Sequence, residues 1–319
     1  MEGRLNKFVV SYKDNLALAT LAGTGSFKCV EILLADERVN PAAKNTWALS
    51  QAAAGGFLTV VSLLLRDPRV DPSDDNSLAL VWAAMGGFLD VVLLLLHDPR
   101  VDPSVRDNGA FRQAASNGHL EIVRFLLSDT RVNPAADNNF AIRFASEHGH
   151  DKVVALLLTD PRVDPTAFYN QAYTAASHFN HTRVTELLIN VPSVQWHALI
   201  RAIEHGDFPL VQRLLAFESI DPSRQDNLAL RQAISYGDLS CCQLLLSHPK
   251  VESCCQDCLF LRLACRSRNT PQRSDIVELL LSFPEVDPSS NENEALLNLL
   301  DANDLVLLRK LLKHRTTRT

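Results

Sequence analysis

The chain lacks the compact motifs by which many enzymes announce themselves. It has no GxxxxGK[ST] phosphate loop, no GxSxG nucleophile elbow and no HExxH, the patterns that cradle phosphate, present a serine or hold zinc. Apolar runs such as Val91 to Leu96 fall far short of the roughly 20 residues that a bilayer-spanning helix needs, so no membrane role is expected. The N-terminal stretch MEGRLNKFVVSYKDN has no apolar segment of signal-peptide length. Cysteine is sparse and unevenly placed. Seven is an odd number, and six of the seven fall between Cys241 and Cys265, which is not a bridge framework spread along the chain. The expected compartment is therefore reducing, cytoplasmic or nuclear. Positive charge is also short: 31 Lys and Arg against 37 Asp and Glu, a formal charge of -6. A mildly acidic chain has no broad attraction for nucleic acid or anionic membrane, and neither is expected as a partner.

What the chain has is apolar material and a period. Of its 319 residues 46% are hydrophobic and 21% charged, ample for a core. The segments LLADERVNPAA, LLRDPRVDPSD, LLHDPRVDPSV, LLSDTRVNPAA and LLTDPRVDPTA have their final prolines at Pro41, Pro72, Pro103, Pro134 and Pro165, each 31 residues after the last. Gly25, Gly56, Gly87, Gly118 and Gly149 keep the same step. The register then bends: Asn180 takes the glycine place, Gly206 follows after only 26 residues, and Gly237 restores 31. Later, Val251 to Val286 spans 35 residues.

One unit, residues 107–134, reads DNGAFRQAASNGHLEIVRFLLSDTRVNP. Asp107 and Asn108 have the side chains that cap a helix N-terminus. Ala110, Phe111, Ala114 and Ala115 follow at helical spacing, the alanines small enough to let neighbouring helices approach. Gly118 suits the left-handed stop of that helix. Leu120, Ile122, Val123, Leu126 and Leu127 make a second helix, apolar on more than one side and so expected to be buried between neighbours. The Asp-Pro steps at Pro68, Pro99 and Pro161 end it in sister units, because a residue before proline resists the α region. A loop with one buried valine (Val70, Val101, Val132, Val163) leads onward. Such a unit cannot bury its apolar faces alone, and stacking supplies the partner. Units begin near Asp14, Asn45, Asp75, Asp107, Asp137, Phe168, Gln195, Asp226, Asp257 and Asn291. The expected fold is an all-α solenoid of about ten stacked repeats, a single domain over residues 1–319, with 1–13 a half-repeat cap and 291–319 a cap repeat. Arg309, Lys310 and Lys313 would give the last helix a wet face and suit its C-terminus.

GHLEIVRFLL at Gly118 to Leu127, with the helix-turn-helix pattern around it, resembles the ankyrin repeat, and the resemblance covers nearly the whole chain. Two departures stand out. Ala-Phe-Arg at Ala110 to Arg112 and Ala-Ile-Arg at Ala141 to Arg143 replace the usual Thr-Pro-Leu-His start. The Asp-Pro-Arg-Val-Asp-Pro loop replaces Gly-Ala-Asp-Val-Asn, and the period is shorter than the roughly 33 residues of that family. Two prolines per loop remove two backbone donors, so the β-hairpin finger is expected to be shortened or lost. The resemblance implies recognition of another protein by the concave face and loops.

In that family the residue before the turn glycine faces the groove and varies. Here it is Thr24, Gly55, Gly86 and Asn117, then His148, Phe179, His205 and Tyr236. Large rigid side chains on an exposed strip are what interface hot spots look like, so His148, Phe179, His205 and Tyr236, with neighbours Glu147, His178 and Glu204, are the candidate partner-binding residues. The competing reading is that Phe179 and Tyr236 fill gaps between units. Arg266, Arg268 and Arg273, around the insertion in the ninth unit, are a second candidate, since guanidinium forks suit carboxylate and phosphate. Arg112, Arg143, Arg231 and Arg262 recur at one repeat position, with Arg201 in the shortened unit. Recurrence reads as a structural tie to Asp107, Asp137 or Asp226. The loop arginines Arg69, Arg100, Arg131 and Arg162 read the same way, with Asp71, Asp102 and Asp164. His119, His150 and His181 look like the structural turn histidine of the family. Cys254, Cys255 and Cys258 include one CxxC, but zinc needs four ligands, usually two spaced pairs, so free thiols and no metal or other cofactor are expected.

The sequence therefore points to a non-catalytic, monomeric scaffold or adaptor for another protein. Its alternatives are a non-catalytic subunit of an enzyme complex and a self-assembling structural repeat protein.

Overall fold

The computed structural model describes residues 16–251, 258–266, 272–301 and 304–316. Among them are twenty α-helices and no strand. The hairpin finger is thus absent from the described residues, as the loop prolines imply. Residues 1–13, expected to form the N-terminal cap, lie outside the described residues.

The chain divides into two compact units, Met1–Ile189 and Asn190–Thr319. The first holds the pairs α1 (Leu16–Gly23) and α2 (Phe27–Leu34), α3 (Ala43–Ala54) and α4 (Leu58–Leu65), and α5 (Asp74–Gly86) and α6 (Leu89–Leu96). It continues with α7 (Val105–Ser116) and α8 (Leu120–Leu127), α9 (Ala136–Glu147) and α10 (Asp151–Leu157), and α11 (Ala167–His178) and α12 (Thr182–Ile189). The second unit holds α13 (Pro192–His205) and α14 (Phe208–Leu215), then α15 (Arg224–Tyr236) and α16 (Leu239–Leu246). It ends with α17 (Leu259–Arg266) and α18 (Arg273–Leu281), then α19 (Ser290–Asp301) and α20 (Leu305–Thr316). The division falls where the period shortens. No Asp-Pro-Arg-Val-Asp-Pro loop follows α12; Asn190 and Val191 lead straight into α13, whose first turn accepts Pro192 because its missing N–H is not needed there.

In each unit the first helices of successive repeats lie side by side, α5 on α7 on α9 on α11 and α13 on α15, while the second helices stack more sparsely. The alanines permit this: Ala83, Ala84, Ala114, Ala115, Ala145 and Ala176 are fully buried. The second helices are not buried all round, as their composition suggests. In α8, Ile122, Val123 and Leu126 are buried and Phe125 is 40% exposed; in α6, Val91, Val92 and Leu95 are buried and Leu93 is exposed. Each sits against its own first helix and its neighbours, and its outer side meets water, so a single stripe is covered.

The turn between paired helices is locked from the next repeat. Gly118 has φ +77°, and a Cβ there would lie 2.5 Å from the Nδ1 of His150. That ring's Nε2 is 3.0 Å from the Ser116 carbonyl, and His119 and His181 make the same contact to Met85 and Glu147 at 2.8 and 2.9 Å. These histidines are structural ties, and Phe57 and Phe88 occupy the same place over Gly25 and Gly56. Burial holds the His150 imidazole below its ordinary value.

The entry to the first helix departs from the capping expectation. Arg106, Asp107 and Asn108 all have left-handed backbones, as do Asp137, Asn138 and Asn139, Asp75, Asn76 and Ser77, and Gln225, Asp226 and Asn227. Asp and Asn recur there because their short polar side chains tolerate a conformation that costs most L-residues roughly 1–2 kcal/mol. No capping hydrogen bond forms at the N-termini of α7 or α9. Instead Asn108 Oδ1 accepts from the Asn133 N–H and Asn139 Oδ1 from the Asp164 N–H, both at 2.8 Å and both 25 residues ahead. In these two repeats the bond ties the start of the first helix to the loop that closes the same repeat.

The loop charges also pair differently from the expectation. Arg69, Arg100, Arg131 and Arg162 fork onto Asp67, Asp98, Asp129 and Asp160, two residues back, at 2.6 to 2.7 Å. The arginine side chains hold those carboxyls below the usual range. Asp71, Asp102 and Asp164 serve instead as turn acceptors for Ser73, Ser104 and Thr166; Arg100 reaches Asp71 at 3.7 Å. Two loop arginines also reach back a repeat, Arg69 to the Val39 carbonyl at 2.9 Å and Arg162 to that of Val132 at 3.2 Å.

Candidate partner-binding surface

Among the described residues, the first helix of the sixth repeat, α11, has exposed aromatic side chains at both of its ends. Its entry turn has Phe168, Tyr169 and Asn170 with φ of 53°, 60° and 59°. Sister repeats place Lys, Asp, Asn, Arg or Gln at the first two of these positions, residues that suit the left-handed region or are flexible and polar. Bulky aromatics there are outliers, and both are exposed, Phe168 by 59% and Tyr169 by 88%. Phe179, the residue just after α11, is 52% exposed. These three line an open trench of about 440 Å³ with Glu147, Gln171, Thr174, Ala175 and His178.

Stacked groups outside the trench support two of its lining residues, Phe168 and Gln171. The Arg143 guanidinium, buried under α11, donates to the carbonyls of Asn138 at 2.9 Å and Asp137 at 3.0 Å and to Gln171 Oε1 at 2.5 Å. It lies 5.0 Å from the Phe168 ring centroid and 5.6 Å from that of Phe144, close enough for cation–π attraction. Phe144 stacks on Phe140 at 3.9 Å, and Arg112 covers Phe140 at 4.9 Å while pairing with Asp137. Of the recurrent arginines, Arg112 and Arg143 are thus structural, and Phe168 is braced by the second. At the other end His178 meets Phe179 edge-on at 4.9 Å. The Glu147 backbone carbonyl is bound by His181, but its carboxylate has no ion-pair or hydrogen-bond partner among the described residues.

Stacked helix pairs, left-handed turn glycines and a face of variable residues along the first helices make one repeating motif. The family model described as ankyrin repeats (3 copies) matches residues 16–107, 80–169, 172–257 and 199–292. The chain belongs to the ankyrin repeat family. No curated protein matches it by sequence. Ankyrin repeats are in general protein–protein interaction modules and typically non-catalytic, and no helix among the described residues is long and apolar enough to cross a membrane.

Within this ankyrin array, Glu147, His178 and Phe179 come together, and the sequence reading missed Phe168 and Tyr169, which join them. A signal existed: these two aromatics stand where other repeats carry polar residues. His148 is exposed one repeat back, its Nδ1 3.4 Å from Ser116 Oγ. In the second unit His205 is exposed and its Nδ1 is 2.8 Å from the Arg201 carbonyl. Glu204 pairs with Arg201 at 3.1 Å. Tyr236 is 51% exposed at the end of α15.

The second candidate cluster does not hold as expected. Arg273 is buried, not on an exposed turn. Its Nε donates to the Ala264 carbonyl at 3.2 Å, another nitrogen donates to that of Cys265, and Asp304 lies 3.5 Å away. It satisfies the orphan carbonyls that end α17. Arg266 is exposed, and Arg268 lies outside the described residues, as do Cys254 and Cys255. Cys258 takes the asparagine place of the entry turn, with φ 50°, and its Sγ accepts from the Asp287 N–H at 3.2 Å. Burial raises the thiols of Cys241, Cys242 and Cys265, the last two to about 12. Among the described residues no group of His, Cys, Asp and Glu is placed to hold a metal ion.

Proposed function

We propose that the chain is a scaffold or adaptor that binds a segment of a partner protein along the exposed face of its first helices, with the trench on α11 as the principal contact. The observation that carries this reading is the strained, exposed aromatic pair Phe168 and Tyr169 in one trench with Phe179. Exposed aromatic surface at a strained turn lowers stability and solubility, and such strain clusters at binding sites. His148, His205 and Tyr236 extend the same kind of exposed position along other repeats and are proposed as auxiliary contacts. The test is affinity capture on the intact chain, wild type beside Tyr169→Ala/Phe179→Ala and beside His205→Ala/Tyr236→Ala. Circular dichroism establishes that each bait is folded. A partner held by the wild type and lost from the first variant supports the trench. Equal retention by both variants moves binding elsewhere.

Self-association is the second reading, favoured by one observation. The last repeat exposes Leu297, Leu300, Leu305 and Val306, each by more than 50%, beside the expected wet residues Arg309, Lys310 and Lys313. Sedimentation velocity over a range of concentrations decides between a monomer and this assembly.

A further inference from the structure

The trench has an electrical polarity as well as an apolar lining. Resting on the partner-binding reading above, we propose that its occupant is an extended peptide segment with two apolar anchors about five residues apart and a lysine or arginine beside the anchor that meets Phe179.

The spacing follows from the helix. Tyr169 and Phe179 flank the regular turns of α11, residues 171–178, which span about 12 Å, so with the flanking residues the two aromatic ends are separated by roughly 15 Å. An extended chain rises about 3.3 Å per residue, which places the two anchors about five residues apart. Between the ends the lining is small or polar, Thr174, Ala175 and Gln171, which leaves room for backbone and small side chains but offers no third apolar pocket.

The charge follows from the two ends. At the Phe179 end stands Glu147, whose carboxylate has no partner among the described residues. A cation there meets both a carboxylate and aromatic edges and faces, the pairing that attracts ammonium and guanidinium groups. At the Phe168 end the Arg143 guanidinium already lies over the ring at 5.0 Å. A second cation beside it would be repelled, so the basic residue is confined to the Glu147 end and sets the direction of the peptide. His178 lines the same end, its ring edge-on to Phe179 at 4.9 Å.

The experiment selects random linear peptides, displayed on phage, against the intact purified chain. Synthetic versions of the enriched peptides are then titrated by fluorescence anisotropy against wild type, Glu147→Gln and Tyr169→Ala/Phe179→Ala, each shown to be folded by circular dichroism and urea unfolding. The expected result is enrichment of one Lys or Arg at a fixed place between or beside two apolar residues. Replacing that residue by Ala weakens binding about three- to tenfold to wild type and not at all to Glu147→Gln, the mark of a direct pair. Glu147→Lys then prefers the peptide in which the basic residue is Glu. Peptides that bind through Tyr169 and Phe179 but show no coupling to Glu147 overturn the basic-residue assignment and leave the docking reading standing. No enrichment on the wild type, or equal binding to the double aromatic variant, overturns both.

Discussion

Replacing Asn139 by Ala removes a hydrogen-bond acceptor and forces an L-residue with a Cβ to hold a backbone that favours Asn and Gly. Asn139 is buried, has φ 59° and ψ 40°, and accepts from the Asp164 N–H at 2.8 Å. Losing the acceptor leaves a part-buried amide without its partner, at about 1–2 kcal/mol. The left-handed backbone adds about 1–2 kcal/mol for Ala, so Asn139→Ala is expected to cost about 2–4 kcal/mol. Asn139→Gly loses the same hydrogen bond without the steric penalty, offset by the greater freedom of Gly in the unfolded chain, for about 1–3 kcal/mol. A helix-capping role predicts the same order but smaller costs: about 1 kcal/mol for Ala and only a few tenths for Gly. Urea unfolding measures the totals. Because repeat arrays can unfold in stages, native-state hydrogen exchange at the Asp164 amide gives the local reading, and both variants should exchange faster there. A Gly variant within a few tenths of wild type, with the Asp164 amide still protected, would refute the bridge.

Three further outcomes follow from the same structure. Burial depresses the His150 imidazole below 6.5, so the unfolded chain takes up that proton first; stability falls as pH drops through about 6.5 and the loss is complete below the folded value. His150→Phe, which copies the residue type at Phe57 and Phe88, should flatten the pH dependence of the urea midpoint, leaving the part due to His197, also depressed by burial. Gly118→Ala puts a Cβ 2.5 Å from His150 at φ +77° and should cost about 2–4 kcal/mol in thermal or urea unfolding; an unchanged midpoint would mean the ring does not sit on the turn. In native protein Cys29, which is exposed, should be alkylated by iodoacetamide well before the buried Cys241, Cys242 and Cys265, whose thiols burial holds protonated; site-resolved mass spectrometry checks the order.

Much of the fold is legible in residue order because a repeat writes it several times. The step of 31 residues from Gly25 to Gly149 and from Pro41 to Pro165 marks the turns and the loops independently, and a left-handed turn selects Gly for reasons local to the backbone. Part of the candidate surface is legible too: Glu147, His178 and Phe179 sit at a position that recurs and varies, and variation within a repeat shows where packing does not dictate the residue. The functions of Asn108, Asn139 and Arg273 are not legible. The Asp-Asn pair has the same chemistry whether it caps a helix or tolerates a left-handed turn, and the difference is whether the asparagine oxygen meets its own helix or an amide 25 residues ahead. An arginine near an insertion looks solvated until the carbonyls of Ala264 and Cys265 come to lie beside it.

The sequence by itself determined the helical class, the number of helix pairs, the turn positions and the membership that implies partner binding, because each rests on local periodicity and turn chemistry. Tertiary structure alone decided which side chains share a surface. Phe168 and Tyr169 are at the start of α11, Phe179 just after its end and Glu147 at the end of α9, and they line one trench only because first helices stack side by side through their alanines. It also decided that the outer side of each second helix stays wet and that loop arginines pair two residues back. Those outcomes depend on which groups a neighbouring repeat brings within about 3–4 Å, a distance that spacing along the chain does not encode.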